Sequence, residues 1–115
     1  TLKDIEFAEV HDCFTIAELL TYEAMGLAPK GQGARALEDG TVYRGGALPV
    51  NLSGGLKAKG HPVGATGVSM HALAFRQLTN QAGDLQVPGA ELGLLFNMGG
   101  SAVANYVSVL EARKV

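Results

Sequence analysis

The sequence predicts a layered α/β structure, and three observations carry that prediction. Residues 5–10 alternate apolar and polar side chains as a short half-buried strand does. Two longer apolar runs, residues 92–96 and 102–110, flank the glycine-bearing segment 97–101, as two antiparallel strands joined by a turn. Between the first strand and this pair lie two stretches with helical spacing, so the order is strand, helix, loop, helix, strand, strand. Strands this apolar require helices on at least one face.

The first strand ends at His11. After it, Thr15-Ile-Ala-Glu18 matches a capping box, and Leu19, Leu20, Ala24 and Met25 recur at helical spacing until Gly26 stops the pattern. Cys13 therefore stands at a strand-to-helix junction, where helix-terminal amides favour an anion. Residues 27–50 lose periodicity and gather glycine, proline and scattered charge, with one or two helical turns at residues 34–38. A loop of that length is usually functional, which makes it a candidate wall of a site.

The centre of the chain is residues 51–67, seventeen positions that hold five glycines, one proline and one histidine. Such a segment is built for backbone shape. Pro62 suits the first turn of a helix, and small residues followed by larger ones predict a helix from Val63 to Leu78 that starts tightly packed. His61 then precedes the helix N-terminus, where the dipole disfavours an imidazolium and a neutral, hydrogen-bonding ring is expected. The helix is apolar nearly all round, which requires cover on more than one side. A 115-residue chain with two long strands and two helices cannot supply that cover alone, so a large apolar surface awaiting a partner is expected.

Composition narrows the function. With 47% hydrophobic and 17% charged residues the chain is globular, and a net charge of −2 leaves no footprint for nucleic acid or an anionic membrane. No apolar run approaches the ~20 residues of a spanning helix. A single cysteine excludes an internal disulfide and suits a reducing compartment, so a cytoplasmic location is expected. The start at Thr1, without Met and just before a strand, suggests a piece of something longer.

Three histidines and one cysteine fit no metal template, because no His-x3-His or Cys-x2-Cys pair is present. The glycine-rich centre matches neither nucleotide-binding fingerprint. His71 falls in an apolar helical run and reads as a packed or hydrogen-bonded core residue. Cys13 alone is more often a small buried hydrophobe than a catalyst. Its company changes the weighing: His11, Cys13 and His61 each end an element and precede a helix, so proton-transfer groups converge at one sheet edge.

At these residues the sequence resembles the C-terminal region of thiolases, specifically the sterol-carrier-protein type and its archaeal and bacterial relatives. The pattern Asn-x2-Gly-Gly-x4-Gly-His-Pro-x-Gly-x2-Gly stands complete as Asn51, Gly54, Gly55, Gly60, His61, Pro62, Gly64 and Gly67. His11-Asp12-Cys13-Phe14 resembles the block that replaces Asn-Glu-Ala-Phe in this subfamily. The resemblance runs from about Ile5 to Val109. It implies the C-terminal part of the thiolase fold over residues 1–115, a mixed sheet packed on a buried central helix in α/β/α layers, with the N-terminal half absent.

The resemblance also implies chemistry: Claisen condensation or thiolytic cleavage of 3-ketoacyl-CoA through an acyl-enzyme on a nucleophilic cysteine. His61 would activate that nucleophile and bind the thioester oxygen, His11 would complete the enolate hole, and Cys13 would exchange the α-carbon proton. Gly99 would serve the acyl oxyanion, and Asn51, Gly55, Gly60 and Phe14 would contact substrate. Ordinary thiolases carry a second cysteine in a Cys-x-Gly block, which reads Asn97-Met98-Gly99 here. The family implies no cofactor beyond the coenzyme A thioester substrate, an N-terminal thiolase half as partner, a homodimer or higher oligomer, and no activity for this chain alone. Two other functions fit the same scaffold: a non-catalytic acyl-CoA or lipid-binding protein, and a thiolase-like aldolase that breaks carbon–carbon bonds. A nucleophilic cysteine upstream would separate the first reading from both.

Overall fold

The structure, a computed structural model, describes residues 1–113; the last two positions of the expected domain lie outside them. Three strands, β1 (Phe7–Val10), β2 (Leu92–Gly99) and β3 (Ala104–Glu111), form one sheet in the order β1-β2-β3. β1 runs parallel to β2 with Phe7 opposite Gly93 and Val10 opposite Phe96. β2 and β3 are antiparallel, from Leu92 opposite Glu111 to Gly99 opposite Ala104. The crossover from β1 to β2 holds α1 (Thr15–Met25), α2 (Arg35–Glu38), α3 (Gly55–Lys59) and α4 (Thr66–Leu78).

Strand alternation sorts the core into two clusters. Ala8 and Val10, with Leu92, Leu94 and Phe96, turn to the side where Leu19, Tyr22 and Met25 of α1 pack. Phe7, Leu95 and Leu110 turn to the other side, against Leu56, Met70 and Ala74. This is the expected α/β/α layering. Within this chain, however, α4 is covered on one face only. Thr66, Met70, Ala74 and Gln77 form its buried stripe, while Val68 and Phe75 are 72% and 60% exposed. The expected buried central helix thus has a bare apolar side, as the sequence requires of a chain that lacks a covering layer.

Several boundaries differ from the sequence expectation, each for a local reason. α4 begins at Thr66 and not at Val63, because Gly64 takes a φ of 87°, outside helical space. Pro62 instead heads a turn, its carbonyl accepting from the N–H groups of Ala65 at 3.0 Å and Thr66 at 3.1 Å. The capping box does not form: Phe14 is the extended N-cap residue and Thr15 is already helical. The Glu18 carboxylate accepts a 2.6 Å bond from the Tyr22 hydroxyl and pairs with Lys57 at 3.1 Å. Gly26 does end α1, at a φ of 80°.

The long loop contains α2, as expected, yet it is part of the core. Ala36, Val42, Leu48 and Val50 are buried, and Val50 bridges Ala8 on the free edge of β1. β1 is buried throughout, including Glu9, because Ser53 from the glycine-rich segment hydrogen-bonds its carboxylate at 2.6 Å. The turn between the last strands falls at residues 100–103, so Asn97, Met98 and Gly99 belong to β2. Among the described residues no helix is long and apolar enough to cross a membrane.

Candidate functional site

The parallel register that sets Val10 beside Phe96 brings the next residue of each strand together, His11 beside Asn97. His11 is buried, and its Nδ1 lies 2.7 Å from the side-chain amide of Asn97, within hydrogen-bond distance. Asp12 turns away from this contact and is also buried. Its carboxylate accepts the Leu56 N–H at 2.7 Å, capping the short helix α3.

Gly55 is required by that contact. It sits at a φ of 65°, and a methyl group there would collide with the Asp12 carboxylate. Asn51 makes the matching tie one turn earlier: its N–H donates to the Ala8 carbonyl at 2.9 Å, and its side-chain Oδ1 accepts the Val10 N–H at 2.8 Å. The end of β1 and the glycine-rich segment are therefore stitched together by polar bonds on both sides.

His61 follows this frame on an exposed turn. Its Nδ1 donates at 2.7 Å to the hydroxyl of Thr66, which in turn donates to the Pro62 carbonyl at 3.2 Å. The ring meets His11 edge to face, with centroids 4.8 Å apart and planes at 88°. Both imidazoles are thus bonded through Nδ1, and within the described chain neither Nε2 has a hydrogen-bond partner. Both rings line one space.

That space is an open groove of about 1410 Å³. His11, Cys13, His61 and Gly99 all line it, so the four residues expected to converge do share one site. From them it continues over Leu20, Leu94, Phe96 and Val107, an apolar floor between α1 and the β2–β3 ribbon. Cys13 is half-buried against the α4-side cluster. Phe14, 69% exposed, also lines the groove.

The other three expected substrate contacts do not line it. Asn51 and Gly55 are occupied in the frame beneath, and Gly60 is exposed outside it. None of residues 27–60 lines the groove, because the long loop turns its apolar side chains into the core. His71 is exposed and not in the core: Nδ1 donates to the Gly67 carbonyl at 2.7 Å, and Nε2 meets the Ser108 hydroxyl at 3.0 Å. Thr66, which holds His61, was not singled out from the sequence; its place five residues after the histidine, at the helix start, is the signal that would find it.

A family model described as thiolase C-terminal domain-like matches residues 1–112. The chain is 52% identical over 101 residues to an acetyl-CoA acetyltransferase of Methanothermobacter thermautotrophicus, covering 88% of this chain and 26% of that protein. It is 52% identical over 104 residues to sterol carrier protein 2 of Homo sapiens, covering 90% of this chain and 19% of that one. A solved structure of an Ltp2-ChsH2(DUF35) aldolase matches 98% of this chain and 28% of its own, with a TM-score of 0.72 and 26% identity. The chain therefore spans less than a third of the length of each of these relatives. Motif, layering and family model agree: the chain belongs to the thiolase C-terminal domain-like family.

Proposed function

We propose that this chain is the C-terminal catalytic portion of a thiolase, supplying acid/base and oxyanion groups to a nucleophilic cysteine on an N-terminal half. The observation that carries this reading is the convergence of His11, Cys13, His61 and Gly99 on one groove, with the two imidazoles 4.8 Å apart. His61 Nε2 takes the proton of the nucleophilic thiol, and the resulting imidazolium donates to the thioester oxygen. Cys13 removes the α-proton of the second thioester, and the enolate oxygen is held between His11 and His61. Gly99 offers its N–H to the acyl oxyanion. Phe14 stands at the groove wall for the acyl chain. The substrate is a coenzyme A thioester, no cofactor takes part, and the assembly is an oligomer of complete subunits in the cytoplasm.

A second reading is favoured by the solved aldolase relative. An enolate-stabilising pair also serves carbon–carbon cleavage of a thioester that never acylates the protein. A lipid-binding role without turnover is the third, prompted by the resemblance to sterol carrier protein 2.

The test uses the full-length protein that carries this chain. Incubation with a 3-ketoacyl-CoA should leave an acyl group on one cysteine, detected by peptide mass spectrometry. Absence of the adduct, with carbon–carbon cleavage retained, would replace the thiolase reading by the aldolase one. Cys13→Ala should slow deuterium exchange at the acetyl-CoA α-carbon by ~10²-fold or more while acylation of the nucleophile falls far less. Equal losses in the two half-reactions would make Cys13 structural.

A further inference from the structure

We propose that Thr66 is the positioning residue of His61: its hydroxyl holds the ring by Nδ1 and leaves Nε2 as the nitrogen free for proton transfer. The consequence for turnover rests on the acyl-transfer reading above; the hold itself does not. The contact is 2.7 Å long. A ring carbon would stand about 3.3–3.6 Å from the same oxygen, so the atom facing Thr66 is a nitrogen. A hydroxyl accepts from an Nδ1–H and donates to a bare Nδ1, so the seat suits the ring in each of its protonation states. It also brings no charge to the ring, as a carboxylate in that place would.

The seat is fixed by the fold where the histidine is not. His61 stands on an exposed turn between two glycines at positive φ, Gly60 at 96° and Gly64 at 87°, and its ring otherwise meets the edge of His11. Thr66 is 3% exposed, at the start of α4. Its hydroxyl also reaches the Pro62 carbonyl, four residues back, at 3.2 Å, the bond that selects one rotamer of a helical threonine. The same carbonyl accepts the N–H groups of Ala65 and Thr66, which folds the turn back and sets Oγ1 beside the ring. A base that takes the proton of a thiol must be aimed, and an exposed imidazole turns about two side-chain bonds until something stops it. The hydroxyl of Thr66 supplies that stop, and with it the geometry the proton transfer needs.

The experiment compares two variants of the full-length protein: Thr66→Ser, which keeps the hydroxyl, and Thr66→Val, which keeps the shape and loses it. Steady-state kinetics are measured beside proton–nitrogen spectra of histidine-labelled samples, with the His61 ring assigned by its absence in His61→Gln. Thr66→Val should shift the His61 Nδ1 signal and lower kcat about tenfold, the scale of one hydrogen bond, with KM nearly unchanged. Thr66→Ser should restore both, and Thr66→Ala takes the place of the valine variant if that one does not fold. An unchanged His61 signal without the hydroxyl, or a serine variant as slow as the one lacking the hydroxyl, overturns the proposal. So does a variant without the hydroxyl that melts earlier yet turns over normally, since Thr66 would then serve the helix start alone. If the signals follow expectation but the wild type turns over no thioester, the seat stands and the acyl-transfer reading falls.

Discussion

The two histidines of the site touch each other but are held in opposite ways. His61 is exposed and fastened to Thr66, five residues on, within a single turn-and-helix segment. His11 is buried and fastened to Asn97, 86 positions away, across a parallel strand pair. One seat is local and the other is topological. A site built this way keeps one imidazole on a local turn while the other is tied to the sheet, and the two should respond differently to damage.

The largest effect expected is on turnover in the full-length protein. His61→Ala should lower kcat/KM by ~10²-fold or more, the usual loss for a missing oxyanion donor, and leave the melting temperature nearly unchanged because the ring is exposed. His11→Ala should lower turnover by a similar factor but also destabilise the fold by ~1–3 kcal/mol, since Asn97 loses its partner in a buried place. Thermal melting of the two variants side by side checks the contrast. Equal stability losses would show that the two seats are not different in kind.

The same contrast explains how much of the molecule was legible in the sequence. His61 sits in a contiguous run of glycines and a proline, so its position before a helix could be read directly, although Gly64 delays that helix to Thr66. The layering was legible because Leu92, Leu94 and Phe96 alternate with Leu95 and its neighbours along β2. The bond from His11 to Asn97 was not, because it depends on strand register, and the glycines after residue 98 drew the turn too early. α3 escaped notice for a related reason: five residues have no period, and their N-terminus is capped by Asp12 from another element. Glu9 read as a solvent-facing position of an alternating strand, and only the arrival of Ser53 makes its burial tenable.

Gly55 is where the two seats are joined, and Gly55→Ala sharpens the comparison at intermediate scale. The new methyl meets the Asp12 carboxylate, and the backbone remains at a φ of 65° that alanine resists. Strain of that φ costs about 1–3 kcal/mol, and overpacking adds a similar amount. Because Asp12 caps α3 from the residue after His11, the shift should reach both rings. The expected result is a lower denaturation midpoint together with reduced turnover, measured by urea titration and a thiolysis assay. A stability loss with unchanged turnover would show that the frame can shift without moving the histidines.

The smallest effect concerns Glu9, two residues before His11 on β1, whose carboxylate holds Ser53 in the segment leading to His61. Burial pushes its carboxyl above the ordinary value of 4.5, against the opposing pull of the Ser53 bonds and the Lys59 charge. The folded chain therefore binds this proton more tightly than the unfolded chain does. The resulting stabilisation is full below the unfolded value and is lost as pH rises through the raised folded value. Asp4, Glu23 and Asp39 work in the other direction, their hydrogen bonds holding them below the usual carboxylate range. Only the difference between two proteins isolates Glu9. Glu9→Gln keeps the shape and one acceptor but removes the titration, so its stability relative to wild type should improve as pH rises from about 4 towards 7. Urea midpoints across that range are the measurement. A gap that stays constant, or moves in favour of the wild type, would mean that the Ser53 and Lys59 contacts outweigh burial and that the tie between the two seats is a charged one.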